Sequence, residues 1–217
     1  MLFIKASADR APTPYPKSFV VSFVTNVTEA DATHPVGGHL YFDWNIQSQR
    51  IDHDAGAYEC VHFYQTESPC SLYFVQGSMY RLLYDDHPVK CCLDLPVGTP
   101  PPDWANRANP TFNGRVLDSY SDIMSYQWTF DNLVPPLSPQ AAGVSNYHTA
   151  SEVASGEYAG LPLTFTFPGH ANGTQDYHFV VESMATIPLP PSLFELPEGC
   201  MDVACDASFK STAASAS

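Results

Sequence analysis

The sequence is poor in charge, and in positive charge above all. Charged residues fill 15% of its 217 positions, and 9 Lys and Arg face 23 Asp and Glu for a formal net charge of −14. A typical soluble domain carries about a quarter charged residues. A chain with this balance repels phosphate backbones and anionic lipid headgroups, which removes nucleic acid as a partner. No apolar run approaches the roughly 18 residues of a membrane-spanning helix, so no transmembrane segment is expected. Met1-Leu2-Phe3-Ile4 breaks at Lys5 and is too short for a signal-peptide core. Helical periodicity is sparse. Gly-x-Ser-x-Gly, His-Glu-x-x-His, a phosphate-binding glycine loop and a dinucleotide fingerprint are all missing, which closes the common enzyme routes.

What is present begins with cysteine. Cys60, Cys70, Cys91, Cys92, Cys200 and Cys205 are even in number, and six cysteines allow about 15 pairings among which sequence does not choose. A bond between neighbours strains the backbone, so Cys91 and Cys92 are each expected to reach a separate partner. Cys200 is expected to anchor the C-terminal segment, and pairing of Cys200 with Cys205 stays open. Zinc is disfavoured, because no Cys-x-x-Cys occurs and no Cys pair is matched by a His pair. Disulfides imply an oxidising compartment, hence a secreted or lumenal protein whose signal peptide is absent from the given chain. Asn26 and Asn172 stand in glycosylation tripeptides, the second within a clear turn, Gly169-His170-Ala171-Asn172-Gly173.

The organisation reads as all-β. Residues 1–17 hold three prolines and form an extended arm; residues 18–206 read as one β domain, and 207–217 as a small-residue, disordered tail. Alternation over Phe19 to Val27 predicts a strand. Leu40, Phe42 and Trp44, a polar turn, and Arg50 to His53 predict a hairpin. Further strands are expected at Tyr58–Gln65, Ser71–Val75, Met79–Tyr84, Val116–Tyr120, Ser125–Phe130, Val144–His148, Leu163–Phe167 and Tyr177–Met184, with Gln76-Gly77 as a tight turn. Asp103 is placed to cap a helical turn through Ala108, and Pro191 to start another. Short strands joined by Gly and Pro turns argue for an antiparallel sandwich or an open, curved barrel.

Three constellations carry possible chemistry. On a strand, Asp52 and Asp54 point to one side and make a weak calcium candidate; no other cofactor is expected. Asp43, Asp52 and Asp54 together are the carboxylates a hydrolase would use. Aromatic residues dominate the predicted strands, and a curved sheet lined with them is how β-folds enclose a hydrophobic ligand. Trp44, Phe63, Tyr126, Trp128, Phe130, Phe165 and Phe167 are the candidate pocket walls.

The segments His39-Leu40-Tyr41-Phe42-Asp43 with Arg50-Ile51-Asp52, Pro69-Cys70, Cys91-Cys92, Pro102-Asp103-Trp104, Gly114, Tyr126-Gln127-Trp128, Asn146-Tyr147, Pro162 and Pro190 to Pro197 with Cys200 follow one another in order. In that order they resemble the ependymin-related secreted eukaryotic proteins from about Phe19 to Cys200. Members often carry further cysteines after the Cys-Cys pair, whereas Leu93 to Gly98 hold none. The resemblance implies two stacked, strongly curved antiparallel sheets, an open half-barrel with a hydrophobic pocket, similar to bacterial periplasmic lipoprotein carriers. It also implies secretion or lysosomal delivery, glycosylation, a homodimer or larger assembly and, in some members, calcium. It brings no catalytic residues. The expected function is therefore non-enzymatic binding of a lipid or other hydrophobic small molecule. The alternatives are an interaction subunit of an extracellular or lumenal assembly, docking through its sheet face or its Pro-rich arm, and a carboxylate-dependent hydrolase.

Overall fold

The computed structural model describes residues 10–27, 35–63, 66–84, 89–131, 147–168, 174–200 and 204–205. The fold is all-β, with antiparallel strands and, among the described residues, only short helices. The strands are β1 (Ser18–Val27), β2 (Val36–Asp43), β3 (Ser48–His53), β4 (Cys70–Val75), β5 (Ser78–Leu83), β6 (Lys90–Leu95), β7 (Thr111–Asp118), β8 (Ile123–Asp131), β9 (Tyr147–Val153), β10 (Pro162–Pro168) and β11 (Thr174–Ala185). They belong to one sheet in the order β6-β5-β4-β3-β2-β1-β11-β10-β9-β8-β7. Two compact units divide the chain: one takes in Met1–Tyr15, Val27–Thr33 and Pro102–Glu182, the other Pro16–Asn26, His34–Pro101 and Ser183–Ser217.

In the second unit β1 to β6 form a meander of sequential hairpins. Register follows hydrophobic alternation, since a one-residue slip would expose every buried side chain. Phe19 lies opposite Phe42, both buried, with rings stacked 5.2 Å apart. Phe23 packs over Gly38, where a Cβ would collide with the Phe23 ring and the Asp52 carbonyl. The Gln76-Gly77 turn joins Val75 to Ser78 with positive φ at both residues, 53° and 78°, as a two-residue hairpin with the right twist requires. β6 is a strand that sequence reading left out.

Two departures from expectation concern the cysteines and their neighbourhood. Over its described part, the segment expected as a strand at Tyr58–Gln65 is instead a single π-helical turn, Glu59–Phe63, which carries the candidate Phe63. The reason is pairing: β4 has β3 on one side and β5 on the other, so no edge is left for another strand there. His53 pairs with Cys70, and the intervening connection is drawn in by a Cys60–Cys70 bond. The open alternative, Cys200 with Cys205, is not formed. Cys91 bonds Cys200, and Cys92 bonds Cys205.

The pleat explains this division. Consecutive residues of a strand face opposite sides. Cys91 shares its side with Tyr73, Tyr80 and Leu82, a core cluster roofed by Leu189, Phe194 and Cys200. Cys92, fully buried, faces the other way and meets Cys205, whose backbone N–H also donates to Leu93 O, 2.8 Å away. The roof is held from beneath by Arg50. Its guanidinium lies near the Tyr41 and Tyr73 rings (5.6 and 5.0 Å), donates to Asp52 at 2.8 Å and reaches Leu193 O at 3.1 Å. The 3-10 turn Pro191–Phe194 is placed by that bond and by the buried Phe194.

Two outcomes follow for stability. Each long bond alone closes a loop of more than a hundred residues (separations of 109 and 113). With either in place, however, the other closes a ring of only a few residues, because the partners are one and five positions apart. Loop-entropy scaling gives about 2 kcal/mol for losing either bond and about 7 kcal/mol for losing both. Urea melts of the two single and the double Cys→Ala-pair variants measure this non-additivity. His53 supplies the second outcome. It is almost fully buried against Phe23, 3.6 Å from Glu59, and burial holds its pKa below the ordinary value despite the pull of Glu59, Asp52 and Asp54. A folded pKa below the unfolded one, about 6.5, means that the folded state binds fewer protons. Its contribution is complete above about pH 6.5 and is lost as pH falls below that. Thermal melts between pH 7.5 and 5 are expected to show a falling Tm, with a shallower slope in His53→Gln.

Candidate functional site

The five strands β7 to β11 of the first unit show two chemically different faces. On β8, Tyr126, Trp128 and Phe130 alternate with Ser125, Gln127 and Thr129. Register carries this parity across the neighbours: Trp128 faces Ala150, Ala150 faces Phe165, and Phe165 faces Tyr177. On the other parity Gln127 faces Ser151, Ser151 faces Thr164, and Thr164 faces His178. One side of the half-sheet is aromatic. The other is lined with hydroxyls, an amide, carboxylates and an imidazole.

The aromatic side brings together four of the seven sequence candidates, Tyr126, Trp128, Phe130 and Phe165. Two residues that sequence reading did not include join them. Phe112 lies 5.9 Å from Tyr126 and 5.6 Å from Trp128, and Trp104 lies 5.7 Å from Phe130 and 5.4 Å from Phe165. Trp104 opens the four-residue helix α1 (Trp104–Arg107), whose Ala105 is buried in the same cluster. Asp103 stands at the N-cap position as expected, but its carboxylate bridges to Arg107 at 2.9 Å instead of capping the backbone. Trp44 belongs to the other unit, at the β2–β3 turn, half-buried, its backbone N–H donating to Lys17 O at 2.7 Å. The Phe63 and Phe167 side chains lie outside the described residues.

The N-terminal arm completes the cover over this side. The Trp128 Nε1–H donates to Arg10 O at 2.7 Å, and the Arg10 guanidinium sits 3.7 Å above the Tyr126 ring. Thr13 N–H donates to the buried carboxylate of Glu152 at 2.9 Å, and Tyr15 N–H donates to Pro102 O at 3.0 Å. The Tyr15 ring meets Trp104 edge-on, 6.0 Å between centroids. Burial, together with Glu152, pushes the Tyr15 phenol well above its ordinary pKa, so it stays neutral.

The polar side holds a network that sequence reading missed. The Thr164 hydroxyl donates to Asp118 Oδ1 at 2.9 Å, and His178 Nδ1 is 3.3 Å from the Thr164 hydroxyl oxygen. With its one proton committed to the carboxylate, the hydroxyl accepts from Nδ1–H, which fixes the neutral tautomer of His178. Asp118 Oδ2 accepts from both the N–H and the hydroxyl of Ser121, at 2.8 and 2.7 Å. Burial works to raise the Asp118 pKa, but these bonds from Ser121 and Thr164 prevail and hold it below the ordinary value. Burial likewise drives His178 down, against the pull of Asp118 and Asp176. Tyr120 stacks on the His178 ring at 4.2 Å. The signal was available: Thr164 and Thr166 alternate with Phe165, and writing out that parity on each strand lists the polar face.

The carboxylates singled out from sequence have separate tasks. Asp43 accepts from the Asn45 backbone and side chain at 2.9 and 3.0 Å, closing the β2–β3 turn. Asp52 is held by Arg50 and Ser71, while Asp54 is exposed beyond the end of β3. A cation at Asp52 would have to displace Arg50. Among the described residues no group of three or more His, Cys, Asp and Glu side chains is arranged to hold a metal ion. Asn26 is half-buried on β1, and Asn172 lies outside the described residues.

No family model matches the sequence, and no curated protein matches it. Among solved structures, an uncharacterized conserved protein from Thermus thermophilus shares the fold, with a TM-score of 0.50 and 9% identity over 86% of this chain and 89% of that one. A LolA superfamily protein from Nitrosomonas europaea aligns at a TM-score of 0.45 and 8% identity, over 85% of this chain and 93% of that one. The Mycobacterium tuberculosis lipoprotein LppX aligns at 0.38 and 10%, over 74% and 84%. Neither of the last two likenesses is close enough to bear on function. Three disulfides fit an oxidising compartment, and no helix among the described residues is long and apolar enough to cross a membrane.

The Trp128–Arg10 bond yields a direct test of how the arm is held. Trp128→Phe keeps an aromatic ring but deletes the donor to Arg10 O. The expected loss is about 1 kcal/mol, with a rise in amide exchange at residues 10–15 that exceeds any rise in β4 or β5.

Proposed function

We propose that this chain is a non-enzymatic binding protein of a secreted or lumenal, extracellular or lysosome-like compartment, taking a lipid or other hydrophobic small molecule on the aromatic face of β7 to β11. One observation carries the reading: the cover over that face is slight. A permanent core is ordinarily closed by a second sheet or by long helices, but among the described residues the five aromatic rings on these strands are covered by one four-residue helix, which contributes Trp104, and a segment without regular structure. The three hydrogen bonds and two ring contacts described for residues 10–15 are worth about 1 kcal/mol each. Their loss is offset by burying about 200 Å² of apolar ligand surface at about 25 cal/mol per Å². A modest hydrophobic ligand therefore suffices to take the arm's place.

Membership of the ependymin-related family belongs to the same proposal, as do glycosylation at Asn26 and Asn172 and a homodimer. What supports the membership is that residues carrying the resemblance hold the second unit together. Arg50, paired with Asp52, grips the Pro190 to Pro197 segment through Leu193 O, and Cys91 joins Cys200.

Native mass spectrometry of the oxidised full chain, with N-phenyl-1-naphthylamine as a neutral probe, tests the function. Expected are a co-purifying or saturably bound apolar species, a change in tryptophan emission, and increased amide exchange at residues 10–15 on binding. An empty protein that takes up no probe and keeps its arm protected would rule the reading out.

A further inference from the structure

The polar face of β7 to β11 carries a cavity of about 210 Å³ that the proposed hydrophobic site, on the opposite face, does not use. At about 30 Å³ per water it holds roughly seven waters, or a ligand of that size. Among the described residues its lining includes Asp118, Asp176 and His178 but no Lys or Arg. An anion entering it would meet carboxylates without a counter-charge, which excludes phosphate and carboxylate ligands.

The two carboxylates are not equivalent. Asp118 is spent on Ser121 and Thr164. Asp176, half-buried on β11 opposite Thr166, has no hydrogen-bond or ion-pair partner among the described residues. Around it stand the hydroxyls of Thr149, Ser151, Thr164 and Thr166. A neutral polyol would satisfy the hydroxyls and leave the carboxylate uncompensated. A bare metal ion lacks ligands, since no three His, Cys, Asp or Glu side chains converge among the described residues. A primary ammonium matches the inventory: one positive charge and three donors against one carboxylate and neighbouring hydroxyl acceptors.

We propose that this cavity binds a small organic cation bearing a primary ammonium group, with Asp176 as counter-ion and the Thr166 hydroxyl beside it as an acceptor. Among the described residues, the titratable groups lining the site are Asp118 from β7 and Asp176 and His178 from β11, with Tyr120 stacked on His178. Protonating His178 places a second positive charge in the same cavity, so affinity falls as pH drops below the ordinary imidazole range.

Isothermal titration calorimetry of the oxidised full chain with ethanolammonium chloride tests this, with glycerol, sodium acetate and calcium chloride as comparison probes. Saturable millimolar or tighter binding of ethanolammonium is expected at pH 7.5, at least tenfold weaker in Asp176→Asn and several-fold weaker in Thr166→Val, and weaker for the unchanged protein at pH 5.5. Both variants are expected to keep the circular dichroism spectrum and the uptake of N-phenyl-1-naphthylamine, which separates this site from the hydrophobic one. No saturable ethanolammonium binding, equal affinity for glycerol, tighter binding of calcium, or an unchanged affinity in Asp176→Asn would each overturn the proposal.

Discussion

Successive side chains of a strand leave on opposite sides, and most of what is distinctive in this molecule is a use of that constraint. On β6 it turns two adjacent cysteines into two anchors that cannot compete for one partner, so Cys200 and Cys205 are caught from opposite sides of a single strand. Across β7 to β11 it sorts a mixed sequence into an aromatic surface and a hydroxyl-lined one, with register keeping the sorting in step over five strands. Where alternation is broken, pairing still keeps the two surfaces apart: the shift between Phe112 and Gly114 puts Phe112 opposite Trp128 but Val116, four positions on, opposite Ser125.

The sequence displayed the aromatic parity well, because Tyr126, Trp128, Phe130 and Phe165 are large and conspicuous. It displayed the polar parity equally, but Ser, Thr and Gln at alternate positions look like ordinary solvated surface until Asp118, Thr164 and His178 are seen on neighbouring strands. The arm is a different case. Its hold on Trp128 and Glu152 spans more than a hundred residues of chain, and no local pattern encodes a backbone carbonyl as the partner of an indole. The strand wrongly expected at Tyr58–Gln65 fails for a related reason. Apolar alternation states what a segment would do with a free edge beside it, and topology had already filled both edges of β4.

Arg50 shows how a residue can be legible in kind and still obscure in purpose. A single cation on a strand of an acidic chain suggests a surface pair with Asp52, worth little by itself. In place, it is set near two tyrosine rings and donates to a carbonyl 143 positions further along the chain. It therefore fastens the roof of the second unit's core, where replacement by lysine would lose the planar fork that serves several acceptors.

The paired anchors on β6 also bear on the order of events during synthesis. Cys60 and Cys70 are ten positions apart and can close as soon as β4 has emerged. Cys91 and Cys92 have no correct partner until more than a hundred further residues have been made. Throughout that interval two neighbouring thiols stand on an unfinished edge strand, and early closure of the Cys60–Cys70 loop removes the only other cysteines that precede them. The last segment can therefore be stitched to both sides of β6 only after the chain has been made through Cys205, which makes the two native bonds of β6 the last of the three to become possible.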